Sequence, residues 1–290
     1  MNTSAFFHAP LYSRAQGSGA TVVCLHSSTG SHAQWRGLGK ALDGRCQMLA
    51  PDLLGHGQSP AWPIGQANTL QVDANAVGAV IRGANGGLVP GGIHLVGHSY
   101  GAALALQFAL RYPRLVRSLT LYEPVAFGVM RAMSPGDAAL EEIEDIAHSI
   151  TAMVRGGDLE GASRVFVGYW GGAGTWESLG EAQRASLAAR IVTVPRHFDA
   201  LFGATWNAQT LGRLTMPMLL LQGANTRLPA RRVAELLGAA LPRMQRVQIA
   251  DADHHGAVTH EPIVTARIVA HLASAVLLPH ATQHTNAQFA

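Results

Sequence analysis

The segment Gly97-His98-Ser99-Tyr100-Gly101 limits the possible folds more than any other part of this chain. It follows a short apolar run that begins at Ile93 and precedes a stretch of helical period. A strand, Gly-X-Ser-X-Gly and a helix in this order lift a serine hydroxyl above the edge of a sheet, on a sharp turn that demands small neighbours. The helix directs free N–H groups and its positive dipole end to the same place. The pattern predicts that Ser99 is a nucleophile; the alternative is a serine in an ordinary glycine-flanked turn.

Short apolar runs alternate with longer segments of helical period along the chain. Strands are predicted at 21–26, 46–50, 93–97, 118–122, 218–222 and 246–250, and helices at 69–82, 100–112, 229–241 and 263–277. Such an alternation is typical of an α/β fold with a mostly parallel, doubly wound sheet. Tyr12 and the turn Gly17-Ser18-Gly19 favour an additional antiparallel pair at one edge.

The alternation stops between residues 124 and 213, where helix-like segments carry several tryptophans and no convincing strand. We therefore predict a helical cap at 124–213, a core formed by 1–123 and 214–278, and a flexible polar tail at 279–290. Phe198, Phe202 and Trp206 recur every four residues, which fits either the core of a helix pair or a wall that faces a substrate.

Composition argues against several kinds of partner. The net charge is +3, and the 21 Lys and Arg residues are scattered apart from Arg231-Arg232, so nucleic acid is not expected. The apolar stretch 102–110 is far shorter than the roughly 20 residues of a membrane span. Residues 1–16 lack the apolar run of a secretory signal, which favours a cytoplasmic location. We expect a small-molecule substrate, whereas the oligomeric state stays open.

These motifs, in this order, resemble the α/β-hydrolase family over nearly the whole chain. Leu25-His26-Ser27-Ser28 stands where the family has His-Gly-X after its third strand, with Ser27 in place of the glycine. The resemblance implies that the backbone N–H groups of Ser28 and Tyr100 form the oxyanion hole. The segment 51–59 resembles a structural turn of the family, which implies that Asp52 and His56 are architectural rather than catalytic.

The family places its general base in the loop after the last strand. Here that loop, 252–260, contains three histidines. The resemblance favours His254, and His255 and His260 remain alternatives. No Cys-X-X-Cys spacing is present and no pair of histidines stands in a metal-binding motif, so no metal or other cofactor is expected.

The usual position of the family's acid, after the strand 218–222, holds Thr226 and no carboxylate. Some members, among them a group of haloalkane dehalogenases, take the acid from the end of the sixth strand in the family's numbering. That position here is Glu123, directly after the strand that ends at Tyr122. The resemblance implies that Glu123 orients His254; the alternative is a solvated or ion-paired glutamate at a strand end.

Together these residues predict a serine hydrolase of the esterase type. Ser99 would attack a carbonyl, His254 would transfer the proton, and water would release the acyl-enzyme, with an ester or lactone as substrate. One alternative is hydrolysis of a carbon–carbon bond in a ring-cleavage diketone. Another is a non-catalytic protein of this fold that binds a small ligand. Dehalogenation and epoxide opening in the family use an aspartate nucleophile and are not expected with Ser99.

Overall fold

The computed structural model describes residues 10–87, 89 and 91–277, and the predicted tail 279–290 lies outside them. These residues contain seven strands: β1 Ser13–Gln16, β2 Ala20–Leu25, β3 Cys46–Pro51, β4 Ile93–His98, β5 Val116–Tyr122, β6 Met218–Gly223 and β7 Gln245–Ile249. They form one sheet in the order β1-β3-β2-β4-β5-β6-β7, in which only the β1–β3 pair is antiparallel. The predicted α/β class with a mostly parallel sheet is confirmed.

Helices cover both faces of this sheet. Outside the connection from β5 to β6 they are α1 Arg36–Leu42, α2 Leu70–Ala84, α3 Tyr100–Arg111, α10 Leu228–Ala240, α11 Gly256–Thr259 and α12 Glu261–Leu277. Helices α2, α3 and α10 pack into the apolar cluster on one face, and α1 and α12 into the cluster on the other. Along β2, Val23 and Leu25 belong to the first cluster, while Val22 and Cys24 belong to the second. Burial on both faces explains why the strands read as continuous apolar runs.

The predicted strand ends lie close to the observed ones because these runs are bounded by turns. β5 starts at Val116, two residues before the predicted start, and β7 lies one residue earlier than predicted. The antiparallel edge is a single strand, β1, which pairs with β3. The glycine turn after β1 leads into β2, but β1 and β2 do not pair with each other. The edge is therefore not a hairpin.

The connection from β5 to β6, called the inserted segment (residues 124–213), contains helices and no strand, and all of its residues are described. The helices are α4 Gly128–Met133, α5 Ala138–Arg155, α6 Leu159–Gly171, α7 Glu181–Ile191, α8 Val194–Gly203 and α9 Ala208–Leu211. The ring of Phe198 on α8 stacks with those of Phe127 and Phe202, while Trp206 lies beyond the helix and donates to Gln107. The division of the chain into core, cap and tail stays a prediction.

No helix in the described part of the chain is long and apolar enough to cross a bilayer. Among the same residues, no group of three or more His, Cys, Asp or Glu side chains is arranged to hold a metal ion.

Candidate active site

Three predicted site residues follow the carboxyl ends of parallel strands. Ser99 comes directly after β4, Glu123 directly after β5, and His254 lies in the loop after β7. β4 pairs with β5, and β6 lies between β5 and β7. Because the carboxyl ends of parallel strands open on the same edge of a sheet, this topology brings the three side chains together.

Ser99 occupies a strained turn. Its φ of 56° and ψ of −118° lie in a region that side-chain-bearing residues rarely adopt. The flanking glycines are required sterically: a Cβ on Gly97 would lie 2.4 Å from the carbonyl oxygen of Gly101, and one on Gly101 would lie 2.3 Å from that of Leu25. The second approach also shows that the start of α3 packs directly against the end of β2.

Positive φ angles mark the same edge of the sheet elsewhere. Among the described non-glycine residues, only Thr29, Ser99, Glu123 and Asp251 have φ between 44° and 60°. Each follows the carboxyl end of a parallel strand within four residues. Strain of this kind persists only where the surrounding structure holds it, and it concentrates at functional sites.

Ser99, His254 and Glu123 form a continuous line of hydrogen bonds. Nε2 of His254 lies 2.8 Å from Oγ of Ser99, and Nδ1 lies 2.8 Å from Oε2 of Glu123. A carboxylate only accepts, so Nδ1 carries the proton and Nε2 accepts from the serine hydroxyl. All three side chains are buried, with exposed fractions of 5%, 4% and 1% for Ser99, His254 and Glu123.

Glu123 is held by donors from β6 and from the loop that follows it. Oε1 accepts from the backbone N–H of Gly223 at 2.8 Å, and Oε2 accepts from the Thr226 hydroxyl at 2.6 Å. Burial raises the pKa of Glu123, while these two hydrogen bonds act in the opposite direction. Thr226, which stands where most of the family carries its acid, thus fixes the carboxylate that comes from the neighbouring strand.

The loop that carries His254 is anchored by its backbone. The Tyr122 hydroxyl donates to the carbonyl of Asp253 at 2.8 Å, and Nε2–H of His98 donates to the carbonyl of His254 at 2.8 Å. Gln34 donates to the other ring nitrogen of His98, at 3.0 Å, which fixes the His98 tautomer. Burial lowers the pKa of His254 well below its usual range, so its imidazole is neutral near pH 7 and can accept a proton.

The rival residues of this loop have other partners. Asp253 accepts from the backbone N–H of His255, and the carbonyl of Asp251 accepts from Asn225. His260 is hydrogen-bonded to Thr259. His255 lines the pocket, yet its ring has no hydrogen bond to Ser99 or Glu123 in the described structure.

The two backbone N–H groups predicted to form the oxyanion hole are available to bind a substrate oxygen. In the described part of the chain, the N–H groups of Ser28 and Tyr100 donate to no protein acceptor. The Ser27 N–H and hydroxyl bond instead to Gln34, each at 3.2 Å, so a serine fits at the position of the family's glycine. Asp52 and His56 bond mainly to the backbone of the loops around the site, the imidazole of His56 accepting from the N–H of Thr29.

Side chains of the inserted segment line the cavities beside Ser99. A cavity of about 580 Å³ reaches Ser99 and His254, and its lining includes Phe166, Leu179, Leu187 and Arg190 of the inserted segment. The indole of Trp170 on α6 stacks on the His254 imidazole, with 3.9 Å between ring centroids and 26° between planes. A second, inner cavity of about 20 Å³ adjoins Ser99 and is lined by Phe198, so one member of the aromatic stripe does face the site.

Sequence reasoning missed His197, which lies on α8. Its Nδ1 is 2.7 Å from Oγ of Ser28, across 169 residues of sequence. No local motif marks this residue, because its role depends on where α8 packs. The stacking of Trp170 on His254 was missed for the same reason.

A family model described as the alpha/beta hydrolase fold matches residues 20–261. A haloalkane dehalogenase of Agrobacterium fabrum is 35% identical over 119 residues, which make up 41% of this chain and 37% of that protein. The lipase LipV of Mycobacterium tuberculosis is 36% identical over 122 residues, 42% of this chain and 44% of the lipase. The chain thus matches less than half the length of these curated relatives.

Among solved structures, MGS-M2, an alpha/beta hydrolase enzyme from a Medee basin deep-sea metagenome library, superposes with a TM-score of 0.74. The match covers 95% of this chain and 97% of that chain at 17% identity. At this identity the likeness extends to the fold alone.

Proposed function

The chain belongs to the α/β-hydrolase fold family, and within it we propose that this protein is a serine hydrolase that cleaves an ester or lactone of a small organic substrate. The observation that carries the proposal is the unbroken hydrogen-bond line from Ser99 through His254 to Glu123. A nucleophile, a base and an acid in contact are what acyl transfer through an acyl-enzyme requires. The lipase relative supports the same chemistry.

The first half-reaction follows from this geometry. As Oγ of Ser99 bonds to the substrate carbonyl carbon, its proton passes to Nε2 of His254, 2.8 Å away. The Glu123 carboxylate stabilises the imidazolium that forms, and the carbonyl oxygen becomes an oxyanion that the N–H groups of Ser28 and Tyr100 bind. Nε2–H then protonates the alcohol oxygen as the carbon–oxygen bond breaks, which leaves the acyl group on Ser99.

The second half-reaction repeats these steps with water. His254 accepts a proton from a water molecule as its oxygen adds to the acyl carbon, and the new oxyanion occupies the same site. Collapse of this intermediate releases the carboxylic acid and returns the proton to Ser99. The apolar walls of the 580 Å³ cavity favour a substrate with a sizeable organic group rather than a fully polar one.

The test combines a covalent probe with a substrate panel. A fluorophosphonate should label the parent protein at Ser99, and p-nitrophenyl esters of graded chain length should be turned over. The Ser99→Ala variant is the control and should do neither. A folded parent protein that neither labels nor hydrolyses any ester or lactone would overturn the proposal and favour the non-catalytic alternative, and selective turnover of a ring-cleavage diketone would favour carbon–carbon bond hydrolysis.

A further inference from the structure

The Ser28 side chain and His197 share the inner cavity with the nucleophile. This cavity of about 20 Å³ is roughly the size that holds one water molecule. Its polar lining consists of Ser28, Ser99 and His197, and the remaining lining residues are Val125, Phe127, Phe166, Trp170, Val194, Phe198 and Leu201. A polar group in so apolar a space interacts strongly with any charge that develops there.

His197 is fixed between two other rings. Its imidazole stacks on the Tyr100 ring with 3.7 Å between centroids and 13° between planes, and on the His56 ring at 5.3 Å and 11°. The side chain is 2% exposed. Burial, with His56 and His26 nearby, lowers the pKa of His197 well below its usual range, so the ring is neutral and carries one N–H.

The position of that single proton follows from the partners of the ring. Nδ1 lies 2.7 Å from Oγ of Ser28, whereas Nε2 is buried without a hydrogen-bond partner. A proton on Nε2 would leave a buried N–H donor unsatisfied, which folded proteins avoid more strictly than an unsatisfied acceptor. The proton therefore resides on Nδ1, and His197 donates to Oγ of Ser28.

In this tautomer the Ser28 hydroxyl group accepts a hydrogen bond from His197, and its own proton remains available for donation. Oγ accepts from His197 and has no other protein partner in the described structure, so its own O–H can point into the cavity that Ser99 lines. The backbone N–H of the same residue is one of the two expected oxyanion donors. Ser28 can thus direct two donors at one oxygen.

We propose that the Ser28 hydroxyl, oriented by His197 from the inserted segment, donates a third hydrogen bond to the oxyanion. Ser28 is then a catalytic residue through its side chain as well as its backbone, and His197 is a positioning residue. The proposal rests on the acyl-transfer function proposed above. Removing one oxyanion donor typically lowers kcat by about 10²- to 10³-fold, which sets the size of the expected effect.

The experiment measures kcat and KM with a p-nitrophenyl ester for three variants and a control. Ser28→Ala keeps the backbone N–H and should lower kcat by roughly 10- to 10³-fold with little change in KM. His197→Leu should cause a similar loss, and the double variant should be no slower than Ser28→Ala, because the two residues act as one unit. His197→Asn, which can offer an amide N–H near the position of Nδ1, should recover part of the rate. The control is His148→Leu on the exposed face of α5, which should match the parent.

A second measurement separates this role from a merely structural one. Phenylboronic acid forms a tetrahedral, oxyanion-like adduct with an active serine, so its affinity should fall in Ser28→Ala by a factor similar to that of kcat/KM. Thermal unfolding identifies variants that lose activity by unfolding, and if His197→Leu does not fold, Ser28→Ala and His197→Asn decide the question.

Three outcomes would overturn the proposal while leaving the function intact: a parent that hydrolyses esters while Ser28→Ala keeps more than half of its kcat, losses that multiply in the double variant, or boronate affinity unchanged by Ser28→Ala. A parent that neither labels with a fluorophosphonate nor hydrolyses esters is a failure of the proposed function instead, since no oxyanion then forms.

Discussion

The sheet edge and the inserted segment contribute to the same site in different ways. The sheet edge provides Ser99, Glu123 and His254, each next to a strand end and each joined to the next by a hydrogen bond. The inserted segment provides two side chains that contact the site: Trp170 stacks on His254, and His197 is hydrogen-bonded to Ser28. We infer that the first region makes the reaction possible, and that the second sets its efficiency and its substrate range. The size of the rate loss in variants of each region tests this division of roles.

The largest loss is expected for the two residues of the sheet edge that we propose exchange the proton. Ser99→Ala should lower kcat by roughly 10³- to 10⁶-fold without unfolding the protein, because the nucleophile is lost while a small side chain remains. His254→Ala should be as damaging, and the double variant little worse, since nucleophile and base act as one unit. Steady-state kinetics and circular dichroism check both statements.

The neighbouring histidines serve as controls for this result. His255→Ala and His260→Ala should be much milder, because neither ring bonds to Ser99 or Glu123. A loss at either position equal to that at His254 would mean that another histidine is the base. Activity of Ser99→Ala above a tenth of the parent would exclude Ser99 as the nucleophile.

A smaller loss is expected when the acid is changed. Glu123→Gln should lower kcat by about 10²- to 10⁴-fold, because the amide neither stabilises the imidazolium nor holds the tautomer with Nδ1–H. Asp251→Asn, Asp253→Asn and Thr226→Ala should each stay within about tenfold of the parent. Equal losses in Glu123→Gln and Asp253→Asn would contradict the assignment of the acid.

The dependence of rate on pH sharpens the same comparison. As the proposed base, His254 must be neutral, so activity should be lost as pH falls through the pKa of that imidazole. Because burial lowers this pKa, the acid limb of kcat/KM should lie below pH 6.5 in the parent. Removing the Glu123 charge disfavours the imidazolium further, so Glu123→Gln should move the limb to still lower pH; a shift to higher pH would contradict the proposed ion pair.

A change at Trp170 of the inserted segment should be milder still. Trp170 covers His254, and its indole face can stabilise the imidazolium by about 1–2 kcal/mol, so Trp170→Ala should lower kcat by roughly 5- to 30-fold. Trp170→Phe should retain most of the rate. A matched control is Trp176→Ala: Trp176 is equally buried in the inserted segment, but it contacts Arg184 rather than His254. Kinetics at a temperature where all variants are folded should separate the two tryptophans, and equal losses would assign Trp170 a structural role only.

The same division explains what the sequence could predict. Ser99 follows from the local pattern of a strand, Gly-X-Ser-X-Gly and a helix. Glu123 and His254 follow predicted strands, and the resemblance to the α/β-hydrolase family implied their roles. The acid was harder, because Thr226 gives no local sign that it donates to a carboxylate from another strand. His197 and Trp170 could not be found at all, since their partners depend on how α6 and α8 pack over the sheet.

The smallest change in rate is expected at Asp73, which bonds to Tyr100 where the two regions meet. The Tyr100 ring stacks on His197 of the inserted segment, while its hydroxyl donates to the buried Asp73 of α2 at 2.6 Å. Burial raises the pKa of Asp73 to about 7, although the Tyr100 hydrogen bond opposes the rise. The folded state therefore holds a proton that the unfolded state has lost, and the stability this gives is present at low pH and disappears as pH rises through 7.

Asp73→Asn removes this titration and keeps an acceptor for the Tyr100 hydroxyl. Between pH 5 and 8 the free energy of unfolding of the parent should fall relative to that of Asp73→Asn, by about 3 kcal/mol for a shift of this size. Urea unfolding at the two pH values measures the difference, and kcat measured alongside should stay within about threefold of the parent, because α3 and the backbone N–H of Tyr100 remain in place. A large loss of kcat without loss of stability would mean that Asp73 acts on the oxyanion site through Tyr100. Helix α2, which carries Asp73, would then influence the rate as well as the inserted segment.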